Sequence, residues 1–238
     1  MTPAKALGPT GLPKVDAIGS AVAPSVEDYV AAASEYVREA GKLTAGQKKS
    51  GQLRLSDALG RALVAELRTR LPQMQRALAG EREVSGALRT ARADVSEIHP
   101  LDGLRLAVEL KPVNLAVGRA IWNRFGDIRT FAVNIHLKFP FAVVGGVLTI
   151  PTYEEDQGTG GGNRKSTVHL IARAVQRLVR AGGRKTEGDA PHLLEAIAVI
   201  VYDPDTGEID ATAPPPGSGL RWSEFIDALT TAYNARFE

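Results

Sequence analysis

The sequence predicts an α/β fold in which helices flank a central mixed β-sheet and a further helical region precedes it. Three observations carry that reading: amphipathic helix patterns before residue 80, an Asp-Gly hairpin signal in a strand-rich middle, and alternating helix and buried-strand patterns after it. A chain of 238 residues has room for one large domain or two small ones. We expect a flexible N-terminal arm over 1–24, a helical region over 25–80 that could serve dimerisation or contact with a partner, and a core over 81–238.

The arm, MTPAKALGPTGLPKVDAIGSAVAP, is rich in Pro, Gly and Ala and lacks the continuous apolar run of a signal peptide. SVEDYVAAASEYVREAG follows, with Ser25 as N-cap, acids in the first turns and a closing Gly, which are helix start and stop signals. KLTAGQKKSGQ reads as a polar connector. A second helix, from about Ser56 to Leu71, aligns Leu59, Leu63, Leu67 and Leu71 before Pro72 ends it.

Two strands are predicted over Ala87–His99 and Leu104–Lys111, joined by a turn at Pro100-Leu101-Asp102-Gly103. Asn114 to about Phe125 reads as a helix, and FPFAVVGGVLTIP as a buried strand whose paired glycines allow close backbone approach. The glycine-rich stretch over 153–165 reads as a mobile surface loop. Beyond it lie a helix over Ser166–Ala181, a buried strand in LLEAIAVIVYDPDTGEI and a final helix in WSEFIDALTTAYNARF.

There is no cysteine, which excludes thiol catalysis and thiolate metal sites, and no apolar run long enough to span a membrane. A cytoplasmic location is expected. The four histidines show no zinc spacing, and GTGGGNRKS lacks the spacing of a nucleotide P-loop. Net charge is only +2, so any case for a polyanionic partner rests on local distribution.

The hairpin carries the chemistry. In LRLAVELK, side chains alternate, so Glu109 and Lys111 share one face, and antiparallel pairing through the Asp102-Gly103 turn brings Asp94 beside Glu109. Two carboxylates with water suit a hard cation such as Mg2+, and a neighbouring amine can act on an attacking water or on phosphate charge. The plain alternative is a surface hairpin with solvated charge pairs.

Asp94, fourteen intervening residues with a hairpin turn, and Glu109-Leu110-Lys111 at a strand end together resemble the PD-(D/E)XK nuclease superfamily, which includes most type II restriction endonucleases. The resemblance implies a restriction-endonuclease-like core with Asp94 and Glu109 as ligands of a divalent metal and Lys111 as the catalytic amine. The residue before Asp94 is Ala93 where the family name has proline, a position that varies in the family. A less favoured register uses Asp102 as the first acid. Several members supply a further acid from the helix before the hairpin, for which Glu66 is the first candidate and Glu83 the second.

Arg164, Lys165, Arg173, Arg177, Arg180, Arg184 and Lys185 fall in a span with no acid, a local charge of +7. Arg173, Arg177 and Arg180 lie at i, i+4 and i+7 on one helical face, suited to phosphates. Arg119, Asn123 and Arg124 on the helix after the hairpin, and Asn134, His136 and Lys138 if their stretch is extended, are further DNA-contact candidates. The expected activity is Mg2+-dependent sequence-specific cleavage of double-stranded DNA by a homodimer, with a cognate DNA methyltransferase as its genetic partner. The alternatives are a structure-selective or repair nuclease on the same core, such as a junction resolvase, and a DNA-binding protein without catalysis.

Overall fold

A computed structural model describes residues 24–155 and 163–238. The expected arm, apart from its last residue, and the middle of the glycine-rich loop lie outside the described residues.

Helix α1 spans Val26–Glu39, opened by a reciprocal capping box in which Ser25 Oγ accepts from the Asp28 N–H and the Asp28 carboxylate accepts from the Ser25 N–H. Helix α2 spans Ala45–Arg70, eleven residues longer at its start than the leucine stripe alone indicates. Thr44 and Gln47 form a second capping box there, so the expected connector KLTAGQKKSGQ is mostly helix. Its polarity reflects exposure rather than lack of structure.

Strands β1 (Leu78–Ser85), β2 (Thr90–His99) and β3 (Gly103–Pro112) form an antiparallel meander. β1 escaped the sequence reading because it is an edge strand with little buried surface, where only Val84 is buried and charges occupy Glu81, Arg82 and Glu83. Residues 80 and 81 lie inside this strand, and α1 and α2 share a core with the sheet, so no boundary separates a helical region from the rest. Helix α3 (Val117–His136), β4 (Val143–Pro151), a small hairpin of β5 (Tyr153–Glu155) with β6 (Arg164–Ser166), helix α4 (Val168–Leu178), β7 (Ala196–Asp203), β8 (Glu208–Ile209) and helix α5 (Trp222–Phe237) complete the chain.

The main sheet has six strands in the order β1-β2-β3-β4-β7-β8. β3, β4 and β7 run parallel, and the remaining pairings are antiparallel, which makes the mixed sheet the sequence predicts. Parallel neighbours require crossovers, supplied by α3 and α4 on one face. Helices α1, α2 and α5 cover the other, so each face buries its own apolar cluster. Asn114 stitches elements together near the ends of the parallel strands, its Oδ1 accepting from Tyr29, Thr149 and Tyr202 hydroxyls.

Two features fix α3 above the sheet. Gly146 on β4 admits the Ile128 side chain so closely that an added Cβ would lie 2.5 Å from it. At the helix's far end, His136 Nε2 donates to Glu195 Oε2 at 3.1 Å, while Arg184 and Arg236 donate to Oε1 at 2.8 and 2.7 Å. Burial alone would raise the Glu195 carboxyl; His136, Arg236 and the Val144 N–H outweigh it and hold the group at about 2.

The stretch TFAVNIHLKFP is therefore helical through His136, not extended, because Ile128, Phe131, Ala132 and Ile135 repeat at helical spacing against the sheet. Asn134 and His136 are buried structural residues rather than DNA contacts. Asn134 Oδ1 accepts from the Leu88 and Arg89 N–H groups and its Nδ2 donates to the Arg89 carbonyl, which binds the β1–β2 turn to α3.

Gly146→Ala should destabilise the protein by about 1–3 kcal/mol, since the added methyl must displace Ile128 in a packed core. Equilibrium denaturation measures this; parental stability would show that α3 can shift freely.

Candidate functional site

β2 and β3 are in register with Val95 opposite Val108, Ser96 opposite Ala107 and Glu97 opposite Leu106. The ladder stops at Val95, and one step beyond it stand Asp94 and Glu109. On the other side of β2 the pairing also breaks, because Ala79 faces Val95 but Arg82 faces Ala93, leaving Gly80 and Glu81 as a bulge at Asp94. β3 stays paired with β4 through Pro112, so β2 is the strand that departs.

The side chain of Asp94 makes up for the lost ladder bond. Its Oδ2 accepts the Leu110 N–H at 2.7 Å, which holds the carboxylate against β3 between Glu109 and Lys111 in sequence. Its Oδ1 has no hydrogen bond among the described residues. Burial raises the Asp94 pKa; the Leu110 N–H and Lys111 oppose that, and Glu81 adds to it.

Glu109 faces α3. It lines a cleft of about 320 Å³ together with Lys111, Arg89, Arg92, Asp127 and Thr130. Its Oε1 meets the Lys111 ammonium in an ion pair, while Oε2 is buried without a partner. Burial is the main reason that its pKa rises to about 7; Lys111 pulls it down, and the charges of Asp94 and Asp127 push it up. A buried carboxylate oxygen with no hydrogen-bond partner among the described residues, close enough to Asp94 and Asp127 to feel their charges, is a costly arrangement; of those two acids only Asp127 lines the cleft.

Two acids each offering one uncommitted oxygen fit a hard cation that keeps much of its water shell. Among the described residues no group of three or more His, Cys, Asp or Glu side chains gathers for a metal.

The other candidate acids stand elsewhere. Glu66 Oε2 accepts from Trp222 Nε1 at 2.6 Å, joining α2 to α5, and Arg70 pairs with Asp227 rather than with Glu66. Glu83 is on β1, not on a helix, 3.8 Å from Arg92. Asp102 pairs with Arg105 in the hairpin turn, at the start of β3, whereas Glu109 and Lys111 stand near its end, so the alternative register does not bring Asp102 to them. A larger cleft of about 800 Å³ opens at the start of β3, where Asp102 is so committed.

Of the basic candidates, Arg119, Asn123 and Arg124 are exposed on α3, with Arg124 paired to Asp127 at 3.1 Å. Lys138 follows that helix and lines the larger cleft, its ammonium 5.7 Å from the Phe139 ring. Arg164 is tied to Asp205 and Glu155, and Arg184 is buried on Glu195, so neither adds a free charge to the surface. Lys165, Arg173, Arg177 and Arg180 are exposed.

Sequence reasoning missed Asp127, Thr130 and Arg89 in the cleft. The first two required the full length of α3, and the periodicity of Ile128, Phe131 and Ile135 was the signal that reveals it. Glu97, on the same strand as Asp94, is buried and accepts from the Tyr233 hydroxyl at 2.6 Å.

The pKa of Glu109 has a consequence for stability. Because the folded value of about 7 exceeds that of an exposed glutamate, the protonated form favours folding below about pH 4, and that contribution is lost as pH rises through 7. Glu109→Gln should therefore stabilise the protein at pH 8 by on the order of 2 kcal/mol and much less at pH 4. Thermal melts at both values test it, and an equal effect at both would contradict the assigned environment.

Comparison with protein-family models, with curated proteins and with solved structures returns no match to this chain.

Proposed function

We propose that this chain is a Mg2+-dependent endodeoxyribonuclease that hydrolyses phosphodiester bonds in double-stranded DNA at a specific sequence, in the manner of type II restriction enzymes. One observation carries the reading: among the described residues Asp94 Oδ1 and Glu109 Oε2 have no hydrogen-bond partner, and they stand near the Lys111 ammonium at the point where two strands separate.

Asp94 and Glu109 would hold the ion. When bound, Mg2+ supplies Lewis-acid charge at a phosphate oxygen and an ordered shell of water. The Leu110 N–H keeps Asp94 turned toward β3, and the Glu109–Lys111 pair sets the ammonium within the same cleft. As water attacks phosphorus, a new P–O bond forms and the bond to the departing sugar oxygen breaks. Lys111 stabilises the negative charge that grows on the phosphate, or orients the water that attacks it. Arg89 and Arg92 at the cleft mouth can meet neighbouring phosphates, although Arg92 already shares Glu81. A homodimer would supply one such site for each DNA strand.

Lys111→Ala should abolish cleavage of a long duplex in Mg2+ while leaving duplex affinity within about threefold, since the amine acts mainly on transition-state charge. Cleavage at the parent's rate would refute the catalytic assignment. Discrete fragments from linear DNA support sequence-specific cutting; cutting only at branched junctions would replace that reading with a structure-selective one.

Metal affinity gives a second test. Below pH 7 a cation must displace a proton from Glu109, so Mg2+ should bind more weakly at pH 6 than at pH 8, with proton release at the lower value. Calorimetric titration in two buffers of different ionisation enthalpy measures both, and pH-independent affinity would argue against Glu109 as a ligand.

A further inference from the structure

A second feature lies on the outer surface of α3 and α4. Arg177 stacks over the Trp122 ring at 4.2 Å and Arg173 over the same ring at 5.3 Å, while Arg129 stands 5.8 Å from the Phe125 ring. Between the helices is a groove of about 350 Å³ lined by Phe125, Arg129, Arg177, Arg180 and Ala181. Among the described residues none of these four guanidiniums pairs with an acid. Four like charges crowded together without counter-charge repel one another, an arrangement relieved when an anion enters.

The geometry points to phosphate rather than to a stacked base. Guanidinium and ring already meet face to ring in the cation–π contacts, which occupies the aromatic surface a base would need. The edges of the guanidinium planes, which carry the N–H donors, remain available for oxygen in the forked pattern that matches phosphate. Both helices are anchored by their apolar faces, Ile121 and Ile128 on α3 and Leu170, Ala174 and Leu178 on α4, so the arginines spring from fixed backbone. Asp127, Thr130 and Phe131 of the same α3 line the metal cleft, so one helix carries both features on different faces.

We propose that the α3–α4 groove is a phosphate-anchoring site in which Arg129, Arg177 and Arg180 hold the backbone of duplex DNA, with Arg173 extending the contact. The choice of DNA as the polyanion rests on the nuclease reading above. Arg129 and the two aromatic residues are thereby given a role: the rings hold the guanidiniums extended, which lowers the entropy lost on binding.

The experiment is duplex binding followed by fluorescence anisotropy in EDTA, where cleavage cannot occur, over a range of salt. The combined variant Arg129→Gln, Arg177→Gln, Arg180→Gln should bind at least about tenfold more weakly and lower the slope of log affinity against log salt by about 2–3. Arg70→Gln, on the opposite face of the sheet, should match the parent. Parental affinity and slope in the triple variant would overturn the proposal, as would tighter binding of the parent to anionic phospholipid vesicles than to duplex. Because the measurement excludes metal, failure of the parent chain to cleave any duplex or branched DNA in Mg2+ would sink the nuclease reading without altering this result.

Discussion

The Leu110 N–H held by the Asp94 carboxylate is the contact on which the candidate site depends. Where β2 leaves β3, a backbone donor loses its ladder partner, and an orphaned buried N–H costs as much as a lost hydrogen bond. A side chain of the right length, on the departing strand, accepts it instead. Strand separation, which opens space between two paired strands, and acid placement are thus one event. A neutral residue at 94 would leave the N–H unsatisfied as well as remove a charge.

The cost of the site is carried by the layers around it. Glu109 is buried with a bare oxygen, and only a well-packed frame keeps such a group from turning outward to water. Gly146 lets α3 settle onto β4, and the Glu195 cluster draws α3, β4 and α5 to one point. With α3 fixed, Asp127 and Thr130 close one wall of the cleft. The same helix carries Trp122 and Phe125 beneath Arg177 and Arg129.

Much of this was legible in the sequence because its signals are local. The Asp-Gly turn, the alternation in LRLAVELK and the paired glycines of VVGGVLTIP each specify their element, and the mixed sheet flanked by helices follows. The turn alone, with His99 opposite Gly103 and Ile98 opposite Leu104, would set Asp94 across from Val108; the register shift between Glu97 and Ile98 moves that pairing to Glu109, and neither it nor the bulge at Gly80-Glu81 is announced by the sequence. β1 stayed hidden since an edge strand with exposed charges has no apolar alternation to detect. Thr44 and Gln47 did announce the start of α2, but a polar helix surface resembles a linker when apolar period is the guide. Arg164 and Arg184 show the remaining gap: charge along the chain does not tell which cations meet acids from distant segments, and Asp205 and Glu195 claim these two.

The account's central claim is that Asp94 and Glu109 share one hard cation. Crystals of the full chain soaked in Mn2+, a Mg2+ substitute with a measurable anomalous signal, test it without reference to activity. The prediction is a single anomalous peak between Asp94 Oδ1 and Glu109 Oε2 at metal–oxygen distances of about 2.0–2.3 Å, lost in Glu109→Gln. Saturating Mn2+ with no peak there, or a peak that persists in the variant, would contradict it.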